Sequence, residues 1–280
     1  EQAHLVPRNI SCPIVITVHD LFLLDPKVLQ TNWGPIKIGN QNPGIIRSMD
    51  INRLKSGLSR ADLAICISKK TAQHLAQLIP DLPVEIVPNS VDVEARDPRI
   101  NPRRRPELDS DSTHLLVVGS EDPRKAIEFV LDVIGELDPK VRQNIILHKV
   151  GAESNSNEES RLREKAEQLR IRLKWHGKVD EEKLIALEQH VDALLFPSAA
   201  EGFGLPVVEA MASGCPVLVN DLGAQNEHPP DSCILPPFDI SSWKNAILKI
   251  INDRISRGSK YRSPREDLIV LASVYSAKQV

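Results

Sequence analysis

The chain has 280 residues, 41% of them hydrophobic, which is enough apolar material for two cores of ordinary size. A formal net charge of −3 argues against a surface built mainly for polyanions, so nucleic acid is not expected as a partner; the run Arg103-Arg104-Arg105 reads as a solvated loop beside prolines. Four scattered cysteines with no C-x-x-C pair give no disulfide framework and no metal site, and no apolar run reaches the length of a membrane span.

Residues 12–18 (CPIVITV) form a β-branched run that stops at His19-Asp20, and residues 62–67 and 84–87 repeat its character. Residues 44–60 and 69–79 between them have helical spacing. The stretch 92–113 is polar and rich in proline and arginine, and reads as a linker or wide loop. A second series follows: strand 114–119, helix 125–135, strand 144–150, helix 157–169, strand 173–175, helix 181–189, strand 192–196, helix 206–213 closed by Gly214, and strand 216–219. Helices at 241–253 and 264–275 end the chain. This alternation predicts an α/β protein with parallel sheets in two doubly wound domains. The expected boundaries are 1–91 for an incomplete first domain, 92–113 for the linker, 114–257 for the second domain, and 258–280 for a terminal helix returning toward the first.

The stretch 201–217, EGFGLPVVEAMASGCPV, follows the carboxyl end of one predicted strand and opens a helix expected to begin at Pro206. Ligands of open α/β sheets bind in that crevice, where a helix N-terminus offers free N–H groups. Gly202 and Gly204 allow close approach of the backbone. Glu201 and Glu209 are expected to face the same crevice, where carboxylates can accept from vicinal sugar hydroxyls.

Residues 196–219, FPSAAEGFGLPVVEAMASGCPVLV, resemble the signature of the retaining glycosyltransferases of family 4, which have the GT-B fold of two facing Rossmann-like domains. Residues 117–131 resemble the family's phosphate-binding strand and helix, 176–187 its base-binding segment, 87–92 its interdomain link, and 15–21 and 61–68 late strands of its acceptor-side domain. The resemblance covers residues 13–257. It implies that Arg124 and Lys125 bind the diphosphate of a nucleotide-sugar and stabilise the charge growing on it. Glu209 would hold the ribose. Glu201, with the backbone of Gly202, Phe203 and Gly204 and the adjoining Leu205, would hold the transferred sugar. His19 would reach across the cleft, Ser120 would face the phosphates, and Val179 would pass near the base.

The chain departs from the pattern at Ser120, where many members have arginine, at Ser90, where the link usually has glycine, and at Gln225-Asn226-Glu227, where Pro-Glu is common. It also lacks a preceding stretch with a glycine-rich loop, and it opens on Glu1, which reads as a fragment or a processed form. The resemblance implies transfer of a hexose, mannose favoured, from GDP-mannose or a UDP-hexose to a saccharide or lipid-linked acceptor. It implies no protein-bound metal and no cofactor. A cytoplasmic location follows, with peripheral contact at the inner membrane face compatible with it. The alternative is a catalytically silent nucleotide-sugar-binding subunit needing a second chain to complete the first domain. A GT-B epimerase or hydrolase is a third reading.

Overall fold

The computed structural model describes Val6 and residues 11–152, 156–258 and 262–279. Strand β1 (Val15–Val18) is followed by an antiparallel hairpin of β2 (Lys27–Gln30) and β3 (Pro35–Ile38), then α1 (Ile45–Leu58), β4 (Leu63–Cys66), α2 (Lys69–Leu78) and β5 (Val84–Ile86). β1, β4 and β5 make a three-stranded parallel sheet in the order β1-β4-β5. Its core gathers Val18, Leu54, Leu58, Ala64, Cys66 and Leu75. Burial pushes the Cys66 thiol up to about 11, so it packs as a small apolar side chain.

The hairpin is a feature that sequence periodicity passes over, because its strands are four residues each and carry lysine and proline. Its apolar side chains pack on the second sheet's core: Ile36 and Ile38 are buried there. Trp33 at the turn stacks on Phe238, meets Phe129 edge-on, and donates its indole N–H to Asp132 at 2.9 Å. A boundary at residue 91 groups residues 27–38 with the first sheet; in the structure they pack on the second.

Residues 92–113 are more ordered than their polar composition suggests. Asp92 accepts from the Ala95 N–H at 3.0 Å and starts the short helix α3 (Val93–Arg96), whose Val93 and Arg96 are buried. Gln189 then pins the segment, donating to the carbonyls of Arg96 and Asn101 and accepting from the Arg103 N–H. Arg103 pairs with Glu182 at 3.1 Å. The polar residues face particular partners here, which is why a composition signal for a loose loop misleads.

Beyond α3 come β6 (Thr113–Val118), a 3-10 turn (Pro123–Lys125), α4 (Ile127–Gly135), α5 (Pro139–Arg142), β7 (Ile145–Val150), α6 (Ser156–Gln168), β8 (Arg172–Gly177), α7 (Glu181–His190) and β9 (Ala193–Phe196). Next are α8 (Leu205–Ala212), β10 (Val217–Asn220), β11 (Ile234–Leu235), α9 (Ile240–Ser256) and α10 (Glu266–Ala272). The six strands form a parallel sheet in the order β11-β10-β9-β6-β7-β8. Residues of β6, β7, β9 and β10 are almost all buried, as expected for a parallel sheet covered on both faces. The helix expected to begin at Pro206 begins at Leu205, with Pro206 at the second position. The last helix packs against α8, and the turn after it meets the segment that follows β5: Val91 N–H donates to the Tyr275 carbonyl at 2.8 Å.

Candidate active site

Strand order in the larger sheet reverses at β6, which has β9 on one side and β7 on the other. Loops leaving β6 and β9 therefore diverge to opposite faces and open a crevice outside the carboxyl ends of these strands. Both stretches singled out in the sequence leave there. The β6 loop runs from Gly119 to Ala126, and Asp122 caps its 3-10 turn by accepting from the Arg124 N–H at 3.0 Å. The β9 loop runs from Pro197 to Gly204. The Arg124 carbonyl accepts from the Ala199 N–H at 2.7 Å and from the Ser198 hydroxyl at 3.1 Å, so the two loops are joined.

This junction places Arg124, Lys125 and Glu201 in one cluster. Lys125 Nζ lies 2.5 Å from Glu201 Oε1, and Arg124 Nη1 lies 3.2 Å from Glu201 Oε2 and 2.9 Å from the Ala200 carbonyl. One carboxylate, Glu201, lies between the two cations at the sheet's switch point. Asp122 shares Arg124 at 3.3 Å. The cations are held by aromatic faces as well: Arg124 lies 5.2 Å from the Phe22 ring and Lys125 5.4 Å from the Phe196 ring. Such fixed cations suit a diphosphate whose charge rises during bond cleavage.

The loop ahead of α8 shows why its glycines are needed. A Cβ on Gly202 would meet the His19 carbonyl oxygen at 1.9 Å, and Gly204 has φ +96° with a Cβ position 2.8 Å from Gln225. Gln225 stands where Pro-Glu was expected, and it donates to the Ser198 carbonyl at 2.7 Å, bracing the loop from behind. Phe203 is buried; its ring packs on His228 and Tyr275, and its carbonyl accepts from His228 Nε2 at 2.7 Å. With Nε2 donating, His228 Nδ1 accepts from the Tyr275 hydroxyl at 2.8 Å. Phe203 therefore presents only backbone to the crevice.

Glu201 and Glu209 have separate surroundings. Glu209, in the second turn of α8, lies 3.2 Å from Arg96 of α3 and belongs to a cluster with Glu181 and Glu188 of α7. Burial raises its pKa, Arg96 lowers it and Glu181 raises it. His19 stands at the carboxyl end of β1 with an exposed side chain, and its carbonyl packs on Gly202. Ser120 lies between Gly119 and the buried Glu121, which pairs with the buried Lys149. Leu205 is half-buried at the start of α8, and Val179 is half-buried against the core that α8 builds.

Sequence reading missed Arg96, Thr71 and Glu227. Thr71 donates to the Gly202 carbonyl at 3.0 Å, and Glu227 accepts from the Lys69 and Lys70 N–H groups at the start of α2. The contacts of Thr71 and Glu227 join α2 of the first sheet to loops of the second, whereas Arg96 meets α7 and α8. Partners so far apart in sequence leave no local pattern. A cavity of about 260 Å³ opens beside Glu201 between α2 and the hairpin, with Asp20, Lys27, Lys70 and His74 on its walls. Among the described residues no group of three or more His, Cys, Asp or Glu is placed to hold a metal ion, and no helix is long and apolar enough to cross a membrane.

Comparison with known proteins adds the family context. The pattern of the glycosyl transferases group 1 matches residues 99–266, and that of glycosyltransferase family 4 matches residues 3–95. The O-antigen chain mannosyltransferase RfbU of Salmonella typhimurium is 43% identical over 72 residues, 25% of this chain and 20% of that protein. A D-inositol 3-phosphate glycosyltransferase of Nocardia farcinica is 26% identical over 256 residues, 86% of this chain and 54% of that protein. Among solved structures, sucrose-phosphate synthase of Thermosynechococcus elongatus superposes with a TM-score of 0.71 at 22% identity, over 94% of this chain and 64% of that one. Anabaena HepE in complex with UDP and glucose gives 0.69 at 17% identity, over 94% and 67%. The fold is GT-B.

Proposed function

The chain belongs to the glycosyl transferases group 1, and from that premise we propose that it carries the donor site of a retaining hexosyltransferase using a nucleotide diphosphate sugar. The observation that carries this reading is the convergence of Arg124, Lys125 and Glu201 at the sheet's switch point. In this reading the diphosphate enters beside the two cations, and Glu201 turns from them to the sugar hydroxyls. The backbone of Gly202 and Gly204 approaches the sugar where a side chain would clash. Glu209 takes the ribose and His19 lies across the crevice. As the glycosidic bond breaks, negative charge grows on the diphosphate, and cations already in place stabilise it without reorganisation.

Mannosyl transfer in polysaccharide or glycoconjugate synthesis is supported by the 43% identity to the O-antigen mannosyltransferase over its short aligned stretch. The cavity beside Glu201 gives an acceptor a place within reach of the donor sugar. The aligned stretches span 20% and 54% of the two curated relatives, so the whole protein's substrates belong to this proposal. A second reading, a nucleotide-sugar-binding subunit completed by another chain, is favoured by the exposed Val15, Ile45, Ile46 and Ile86 of the first sheet and its helix. A stable monomer in gel filtration would count against it.

The test is calorimetric titration with GDP, UDP and ADP, with Glu209→Ala alongside. One nucleotide should bind, and the variant should lose on the order of 2–4 kcal/mol, since hydrogen bonds to a charged group contribute about 1.5–3 kcal/mol each. No binding by the folded protein would overturn the donor site. Where the donor is known, the anomeric configuration of the product, read by NMR, decides retention.

A further inference from the structure

We propose that Arg96 is a positioning residue of the donor site, holding the Glu209 carboxylate in place for the nucleotide's ribose from the segment that joins the two sheets. This role rests on the donor reading above. Arg96 is 3% exposed, an unusual state for a guanidinium unless it is fully paired. Its Nη1 lies 2.7 Å from Glu188 Oε2, and its Nη2 lies 3.2 Å from both Glu181 Oε1 and Glu209 Oε1. The backbone beneath it is fixed, because Asp92 caps α3 and Gln189 donates to the Arg96 carbonyl at 2.8 Å. Glu188 is held in turn by the Ser213 hydroxyl at 2.9 Å, just past the end of α8. The guanidinium thus joins α3, α7 and α8 at the carboxylate expected to meet the ligand.

Charge explains why position matters. Glu188 is wholly buried and Glu209 largely so, while the exposed Glu181 is screened by water. Burial, against the pull of Arg96 and with the neighbouring Glu209 adding to it, raises the Glu188 carboxyl to about 7. Without the guanidinium these carboxylates would face one another with no cation between them. Glu209 would then take up a proton more readily or turn away, and either change weakens it as an acceptor, since an ionised carboxylate makes the stronger hydrogen bond. The groups facing it are Arg96 from α3 and Glu181 from α7; behind it, Glu188 meets Ser213, and Arg262 donates to the Glu188 carbonyl.

The experiment titrates the nucleotides GDP, UDP and ADP into the wild type, Glu209→Ala, Arg96→Lys and the double variant Arg96→Met/Glu188→Leu, at about pH 6, 7 and 8. The double variant removes the wholly buried acid together with its cation, so Glu188 is not left unpaired in the core, and circular dichroism checks its fold. Its affinity should fall about tenfold at pH 8 and fall further toward pH 6, more steeply than the wild type, because Glu209 has lost the cation that favoured its ionised form. Arg96→Lys should restore most of both. A loss equal at every pH and not rescued by lysine, or no loss, would overturn the positioning role while leaving the donor site standing. A wild type that binds none of the nucleotides, or Glu209→Ala that binds as well as wild type, would instead overturn the donor reading itself.

Discussion

Lys125 carries the sharpest prediction of the proposed donor site. It pairs with Glu201 at 2.5 Å, and in the proposed donor site a diphosphate would compete with that carboxylate for the same ammonium. In the proposed donor site such competition would keep ground-state binding modest and leave the larger gain for the moment when the leaving group carries most charge. Lys125→Ala is therefore expected to lower kcat by about a hundredfold while raising the donor dissociation constant by less than tenfold, a split measurable by steady-state kinetics beside calorimetry. Equal losses would mean simple ground-state binding. At this scale Arg124, Lys125, Glu201 and the glycines stand out in the sequence because each lies in a short motif, and the structure brings the three charged residues together. Arg96 and Glu227 were not legible, because their meaning is a partner: Glu227 meets the start of α2 158 residues away.

Elements tell a similar story. Long periodic runs such as α7, α9 and the buried strands lie within a few residues of where the pattern puts them. The hairpin of β2 and β3 escaped because two four-residue strands, each with a single lysine, carry no period long enough to read. The loop between β9 and α8 was legible as a crevice loop, but its reason for Gly202 lies in the other sheet: the carbonyl of His19 occupies the space of a Cβ. Gly202→Ala should consequently push the loop off β1 and cost about 1–3 kcal/mol of stability, as small-to-large changes in packed sites do. Denaturant melts would show it, and nucleotide affinity should fall with it. An alanine variant as stable as the parent would show that the contact yields easily.

Across the whole molecule, three imidazoles run through the larger sheet from β6 to β8. His114 Nε2 faces the Asp109 carbonyl at 2.8 Å and must donate to it, so its Nδ1 accepts from His148 Nε2 at 2.8 Å. By the same logic His148 Nδ1 accepts from His176 Nε2 at 2.9 Å. An extra proton on Nδ1 of His114 or of His148 would set two N–H groups against each other, so the chain needs those two rings neutral. Burial is the first cause that lowers each of them, taking His148 to about 3 and His176 to about 4. A histidine whose folded pKa lies below its unfolded value of about 6.5 takes up its proton more readily when unfolded. Its contribution to stability is intact above pH 6.5 and is lost as pH falls toward the folded value. For His148 alone that amounts to about 2 kcal/mol by pH 5, at about 1.4 kcal/mol for each pH unit. Glu188 works the other way: its raised pKa means the folded state holds the extra proton between about 4.5 and 7, so its term favours the fold on the acid side and fades as pH rises to 7. The imidazoles outnumber it, and net stability should decline below pH 6.5. Replacing all three with Gln removes the titration, and thermal melts of that variant should lose less between pH 7 and pH 5 than the parent does. If both proteins lose stability in parallel over that range, the acid sensitivity lies outside the imidazole chain.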